Sequence, residues 1–185
     1  MMDRTIPWIS LGMRRDTLDD LPDFPLPQDY AWRFYQPGDE DAWAAIETSA
    51  GEFERTQDAL ERFRFYYPDP SKLPGRMIFL TDHGVPCATA TAWTNEPGVG
   101  HLHWVAVDAD HQGRGLSWPL VSLALRRMAQ LGEKSATLNT QTASWVAIKV
   151  YHRFGFVPYL RKPEEIEGWK IASEKTDVGF LSYFK

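Results

Sequence analysis

Along residues 99–131 the spacing of hydrophobic positions changes from a period of two to one of about 3.6. His101, His103, Val105 and Val107 alternate with Leu102, Trp104 and Ala106, the pattern of a strand with two unlike faces. A polar turn over residues 108–111 and the run Gln112-Gly113-Arg114-Gly115 follow. Leu116, Leu120, Leu123, Ala124, Met128 and Leu131 then recur at helical steps, which predicts an amphipathic helix over about residues 116–131 closed by Gly132. Pro119 falls in its first turn, where the missing N–H costs nothing.

The rest of the chain reads around that junction. Residues 1–29 carry Pro7, Pro22, Pro25 and Pro27, so regular structure is not expected there and the segment is taken as an extended Pro-rich arm. Trp8, Ile9, Leu11, Met13, Leu18, Leu21 and Phe24 make it too apolar for a free tail, which predicts packing across the body or against a second copy in a homodimer. Residues 30–185 read as one domain. An aromatic alternation over 30–35 is the first expected strand. A helix follows, with Asp39 as N-cap, Glu40 and Asp41 in its first turn, and Trp43, Ile46, Glu47 and Ala50 marking its faces. A second helix is expected over 57–67, with Leu60, Phe63 and Tyr67 on one side. Strands over 77–81 and 86–94 flank the hairpin signal Asp82-His83-Gly84. Beyond the long helix, residues 135–141 form a strand, Ser144 caps a helix running to Phe154, and Gly155 stops it. A strand begins at Phe156, and the aromatic tail is expected to add a last one. The order is β-α-α-β-β-β-α-β-α-β, a mixed α/β fold with its antiparallel strands first.

Composition narrows the class. With 185 residues, 43% apolar and 14% aromatic, the chain fits one globular domain. Cys87 is the sole cysteine, so neither a disulfide framework nor a multi-cysteine metal site is available. The His101-Leu102-His103 pair lacks a third ligand at a convincing spacing, and no metal is expected. The net charge of −5 is unevenly spread: residues 1–60 hold 5 basic and 13 acidic side chains, the remainder 15 and 12. That balance argues against nucleic acid and suits an acidic approach for a cationic amine beside a mildly basic seat for an anion. No apolar run reaches membrane-spanning length and no signal-peptide pattern opens the chain, so a cytoplasmic protein without membrane attachment is expected.

The junction at 107–117 carries the chemistry. A strand running through a glycine turn into a helix points several unpaired backbone N–H groups at one place, with the positive end of the helix dipole behind them. Such a place holds phosphate. Gly113 and Gly115 let the backbone approach an anion, and Arg114 adds a mobile charge at the rim. A dinucleotide fingerprint would need a further glycine near Trp118, and no Gly-Lys-Ser/Thr follows the loop, so neither a Rossmann site nor a nucleoside-triphosphate loop is indicated.

The string Gln112-Gly113-Arg114-Gly115-Leu116-Ser117 resembles the acyl-CoA pyrophosphate loop of the GNAT superfamily of N-acyltransferases, Q/R-x-x-G-x-G/A, with Ser117 at the last small position. Downstream, Ala147, Tyr151, Gly155 and Phe156 match the family's second signature, N-x-x-A-x-x-L-Y-x-x-x-G-F, with Ser144 where Asn is usual. The resemblance covers about residues 30–160 and implies a GNAT fold: a mixed central sheet with a V-shaped splay between the fourth and fifth strands and helices on both faces. It implies acetyl-CoA as co-substrate and, as acceptor, a small-molecule primary amine, with a protein N-terminus or lysine as further options. Carried over by position, Gln112 to Ser117 and Ser144 bind the co-substrate, the N–H of Val105 meets the thioester oxygen, and the backbone of Val107 meets the pantetheine amides. Glu52, Phe53, Glu54, Tyr66 and Tyr67 lie near the expected acceptor pocket.

Direct transfer to an amine needs a base and an acid, because only about one in a thousand lysine-type amines, of pKa ~10.4, is unprotonated at neutral pH. His101 lies where some family members carry a catalytic Glu, and an imidazole of pKa ~6.5 can accept a proton. His103 shares its face and is the alternative. Tyr151 occupies the family's general-acid position. An acetyl-CoA-dependent N-acetyltransferase is therefore expected. The alternative is a non-catalytic acyl-CoA sensor or interaction subunit, toward which the departures at Ser117 and Ser144 point.

Overall fold

A computed structural model describes residues 2–184. Seven strands form one sheet in the order β2-β3-β4-β5-β6-β1-β7, where β1 is Ser10–Arg15, β2 Tyr30–Phe34, β3 Met77–Asp82, β4 Val85–Glu96, β5 Val99–Val107, β6 Ser135–Gln141 and β7 Val157–Tyr159. The helices are α1 Glu40–Ser49, α2 Thr56–Tyr66, α3 Ser117–Gln130, α4 Trp145–Arg153 and α5 Glu165–Thr176. All neighbouring strands are antiparallel except β5 and β6.

Residues of β3 divide between two cores. Met77 and Phe79 join Trp43, Ile46, Phe63 and Tyr67 of the α1–α2 layer, while Ile78 and Leu80 join Leu120, Ala124 and Met128 of α3 on the opposite face. A strand whose side chains alternate between two covered faces needs consecutive apolar residues, as β3 has over Met77–Leu80. Among the described residues, no helix is long and apolar enough to cross a membrane.

The segment in which regular structure was not expected holds a strand. β1 pairs with β6 on one side and β7 on the other, with Leu11 and Met13 fully buried. The prolines flank this strand and leave its own N–H groups available, so they do not break it. The following stretch packs over α3: the Phe24 ring lies 5.1 Å from Trp118 and 5.3 Å from Phe154, and Ser122 Oγ donates to the Pro22 carbonyl. At the other end, the expected last strand is a helix, α5, followed by a 3-10 turn at Phe180–Phe184. Its buried residues Glu165, Gly168, Trp169, Ala172 and Thr176 recur at helical steps; the aromatic content alone suggested β structure.

Two local departures bear on the site. Asp39 does not cap α1 with its side chain; its carboxylate accepts from both guanidinium nitrogens of Arg33 and from the Gln36 N–H. In β5, His103 faces Thr91 and Ala106 faces Thr89, so Trp104 and Val105 together oppose Ala90. Trp104 takes φ +49°, as in a bulge. The simple alternation is therefore wrong beyond His103. One extra residue switches the parity, placing Val105 and Val107 against the α3-side core and Trp104 and Ala106 with the α1–α2 core.

Candidate functional site

β5 and β6 run in register only from Val99↔Ser135 to Leu102↔Leu138. Past that point β6 stays paired with β1 through Gln141, while β5 remains paired with β4 as far as Val107. The two parallel strands thus part, and the gap opens into clefts on either side of Val105.

The first cleft has a volume of about 220 Å³ and is lined by Val105, Val107, Gln112, Gly113, Gly115, Leu116 and Ser117 on one wall and Ser144, Ala147, Val150 and Tyr151 of the α4 region on the other. Gly113 and Gly115 both take φ +77°, a left-handed conformation that glycine adopts without Cβ strain. A Cβ at Gly113 would meet nothing within 4 Å, so the loop faces open space. The N-terminus of α3 has no side-chain cap and no acidic residue in its first turn, leaving its dipole and orphan N–H groups for an anion. Gln112 anchors the loop, its Nε2 donating to the Val107 carbonyl at 3.0 Å. Arg114 does not line this cleft; its guanidinium donates to the Tyr30 hydroxyl and the Asp110 carbonyl, both at 3.0 Å. Ser144 Oγ accepts from Gln141 Nε2 at 2.9 Å.

A second cleft of about 460 Å³ lies on the other side, lined by Glu47, Glu52, Tyr66, Trp93, His101, His103, Trp104 and Asn139, among others. Val105, Ser144, Ala147, Glu52 and Tyr151 belong to both walls. Tyr151 is buried, and burial together with the nearby Glu52 and Glu47 carboxyls raises its phenol pKa, so it holds its proton at neutral pH.

The structure brings His101 and His103 together, ring centroids 5.5 Å apart. His101 Nδ1 lies 2.9 Å from Thr137 Oγ1, whose hydroxyl donates to the Gly100 carbonyl; His103 Nδ1 lies 3.0 Å from the Tyr67 hydroxyl, which donates to Thr91. Each ring's Nδ1 is therefore engaged by a hydroxyl, which leaves Nε2 for another partner. Burial lowers His101 to about 4, helped by the charge of Arg161, and lowers His103 to about 3, helped by His101. Both are neutral at pH 7, and both are far weaker bases than a free imidazole.

Glu47 was not among the residues singled out for chemistry. It is 0% exposed, neither carboxylate oxygen has a hydrogen-bond partner among the described residues, and burial with the neighbouring Glu52 pushes its pKa well up. The signal was present: a carboxylate within the apolar spacing Trp43, Ile46, Glu47, Ala50 of α1. Trp93 and Trp104 likewise join the cleft only in the fold.

A mixed sheet whose parallel pair splays beside a glycine loop at a helix N-terminus defines the GNAT class. Residues 28–156 match the Acetyltransferase (GNAT) family, and the chain belongs to that family. Among solved structures it resembles a GCN5-related N-acetyltransferase from Sphaerobacter thermophilus, with TM-score 0.67 and 24% identity over 81% of this chain and 48% of that one. Among curated relatives, mycothiol acetyltransferase of Pseudarthrobacter chlorophenolicus is 28% identical over 155 residues, 78% of this chain and 48% of the relative. That of Mycobacteroides abscessus is 30% identical over 159 residues, 79% of this chain and 52% of the relative. The chain spans about half the length of the curated relatives it matches.

Proposed function

We propose that the chain transfers an acetyl group from acetyl-CoA to the primary amine of a small molecule. The observation that carries this reading is Tyr151, a protonated phenol on the wall shared by the two clefts, at the level where β5 and β6 part. Membership of the GNAT family and the acetyltransferase names of the relatives support the reaction type.

The thioester supplies an activated acyl group. The loop of Gln112, Gly113, Gly115, Leu116 and Ser117 holds the pyrophosphate at the N-terminus of α3, where backbone N–H groups and the helix dipole meet the charge. Arg114, on the rim, would need to swing from Tyr30 to add to it. The bulge at Trp104 breaks the side-chain alternation where Val105 borders both clefts, and we assign the Val105 N–H to the thioester oxygen, as donor to developing negative charge. The backbone of Val107 is assigned to the pantetheine arm through its N–H, since its carbonyl already accepts from Gln112. Ser144 borders the same arm. Tyr151 donates its phenolic proton to the departing sulfur. His101 and His103, neutral and offering Nε2, accept hydrogen bonds from the incoming amine and orient it.

The test is a panel of primary amines with acetyl-CoA, read by a thiol reagent, alongside thermal shift with acetyl-CoA. Acetyl-CoA should raise the melting temperature of the parent. Gly115→Asn, which tolerates the left-handed φ without adding charge, should keep part of that shift. Gly115→Asp, with a carboxylate against the phosphates, should lose it. An equal shift in a folded Gly115→Asp protein would place the co-substrate elsewhere.

A further inference from the structure

The acceptor cleft contains an unmet demand for a cation. Glu47 lines it from α1 with both oxygens unpartnered and no solvent exposure. Glu52, from the segment after α1, lines it too, and its side chain accepts a hydrogen bond from Gln141 Nε2 at 3.4 Å. Among the described residues, no Lys or Arg lines this cleft. A buried carboxylate without a hydrogen-bond donor is strongly disfavoured, and native folds keep few of them. Where one persists on a cleft wall, a catalytic role or a partner from outside the chain accounts for it.

The walls say what kind of donor fits. Tyr66, Trp93 and Trp104 line the cleft beside Glu47, and aromatic faces attract cations and flat apolar bodies alike. The other titratable or charged groups facing this place are Tyr66 at the end of α2 and Tyr67 just after it, His101 and His103 of β5, Tyr151 of α4, and Arg161, which reaches the cleft residues Asn139 and Ser10. Of these only Arg161 carries a positive charge at neutral pH, and it is paired with Glu165. The two histidines are poorly matched to an ammonium, since a base near 4 is about six units too weak for an amine of pKa ~10.4.

We propose that Glu47 receives the ammonium group of the acceptor and takes its proton, which makes it a catalytic residue and defines the acceptor as a primary ammonium carried on a flat apolar body. The inference rests on the acetyl-transfer reading above. In the step, one ammonium proton passes to the Glu47 carboxylate, and the freed nitrogen lone pair forms the C–N bond to the acetyl carbon. The C–S bond breaks, and its electron pair stays on sulfur. Tyr151 protonates that sulfur and is itself reprotonated by the second nitrogen proton, which the amide sheds. Glu47 then releases its proton to solvent, so one ammonium and one thioester give one amide, one thiol and one proton.

Two arms test this. In the first, the protein saturated with coenzyme A is titrated calorimetrically with benzylamine and with benzyl alcohol, its uncharged counterpart. The parent should prefer benzylamine about tenfold or more, and Glu47→Gln should abolish the preference. Glu47→Asp keeps the charge but withdraws it by a methylene, and should reduce the preference without abolishing it; this variant decides the matter should Glu47→Gln not fold. Absence of the preference in the parent, or its persistence in Glu47→Gln, overturns the proposal. In the second arm, thiol release from acetyl-CoA is followed with the best amine of the panel across about pH 6.5 to 9.5. Glu47→Gln should lower kcat/KM about 10²- to 10³-fold near pH 7. The gap should close by about tenfold per pH unit as free amine accumulates, whereas a gap constant with pH overturns the role. No thiol release with any amine, beside an intact benzylamine preference, would remove the acetyl-transfer reading and leave the ammonium site standing. Thiol release with no preference would do the reverse.

Discussion

The paired histidines should make the stability of this protein sensitive to mild acid. In the fold their pKa values fall from 6.5 to about 4 for His101 and about 3 for His103, mainly through burial. A base whose folded pKa lies below its unfolded value contributes its full stabilisation above the unfolded pKa. That contribution is lost as pH falls through 6.5, because the unfolded chain then binds protons that the native state refuses. The loss continues until the folded values are reached. At about 1.4 kcal/mol per unit, the ceilings are about 3 kcal/mol for His101 and about 5 kcal/mol for His103. The second includes repulsion from the first, so the sum is an upper bound. Between about pH 6 and pH 5 the unfolded state holds nearly both protons and the native state neither, which corresponds to a loss of about 2 kcal/mol. Glu47 and Glu52 act in the opposite sense: their carboxyl pKa values are raised by burial, so they favour the fold as pH falls. The measurement is therefore a difference. Urea unfolding followed by tryptophan fluorescence at about pH 7, 6 and 5 is compared between the parent and His101→Gln/His103→Gln, which retains polar side chains at both places but cannot titrate. The parent should lose about 2 kcal/mol more than the double variant between about pH 6 and pH 5. Parallel losses would show that the histidines titrate normally in the fold, and the buried, proton-poor picture of the second cleft would fall with them.

Tyr151→Phe should keep acetyl-CoA affinity, since the ring remains in the wall of both clefts, and should lower kcat by about 10² when chemistry limits turnover; an unchanged kcat would reduce Tyr151 to packing. Leu11→Ala, in the strand held between β6 and β7, should cost about 3 kcal/mol in urea unfolding. A cost below about 0.5 kcal/mol would mean that this strand does not belong to the cooperative unit.

Local patterns could be read directly from the chain. The strand–loop–helix junction, the helix that forms at Ser117–Gln130, the strand Ser135–Gln141 and the hairpin through His83-Gly84 all rest on periodicity and turn residues within a dozen positions. The two signature strings placed the family for the same reason: a glycine loop and a helix N-terminus make their anion site from contiguous residues. β1 was hidden because its partners, Ser135–Gln141 and Val157–Tyr159, lie more than a hundred residues away, and nothing local distinguishes six residues between prolines from a loop. The bulge at Trp104 is invisible in a pattern of alternating side chains, since it is set by the register against β4.

What the sequence determined by itself is the family and the set of elements around the loop, because each of these is built from neighbours in the chain. What the tertiary structure alone decided is the electrostatic setting of the second cleft. Glu47 and the two histidines stand some fifty residues apart in sequence, and their strengths as acid or base depend on how much water the fold removes from around them. That quantity belongs to the packing of α1, α2, β5 and α4 together, and no single segment carries it.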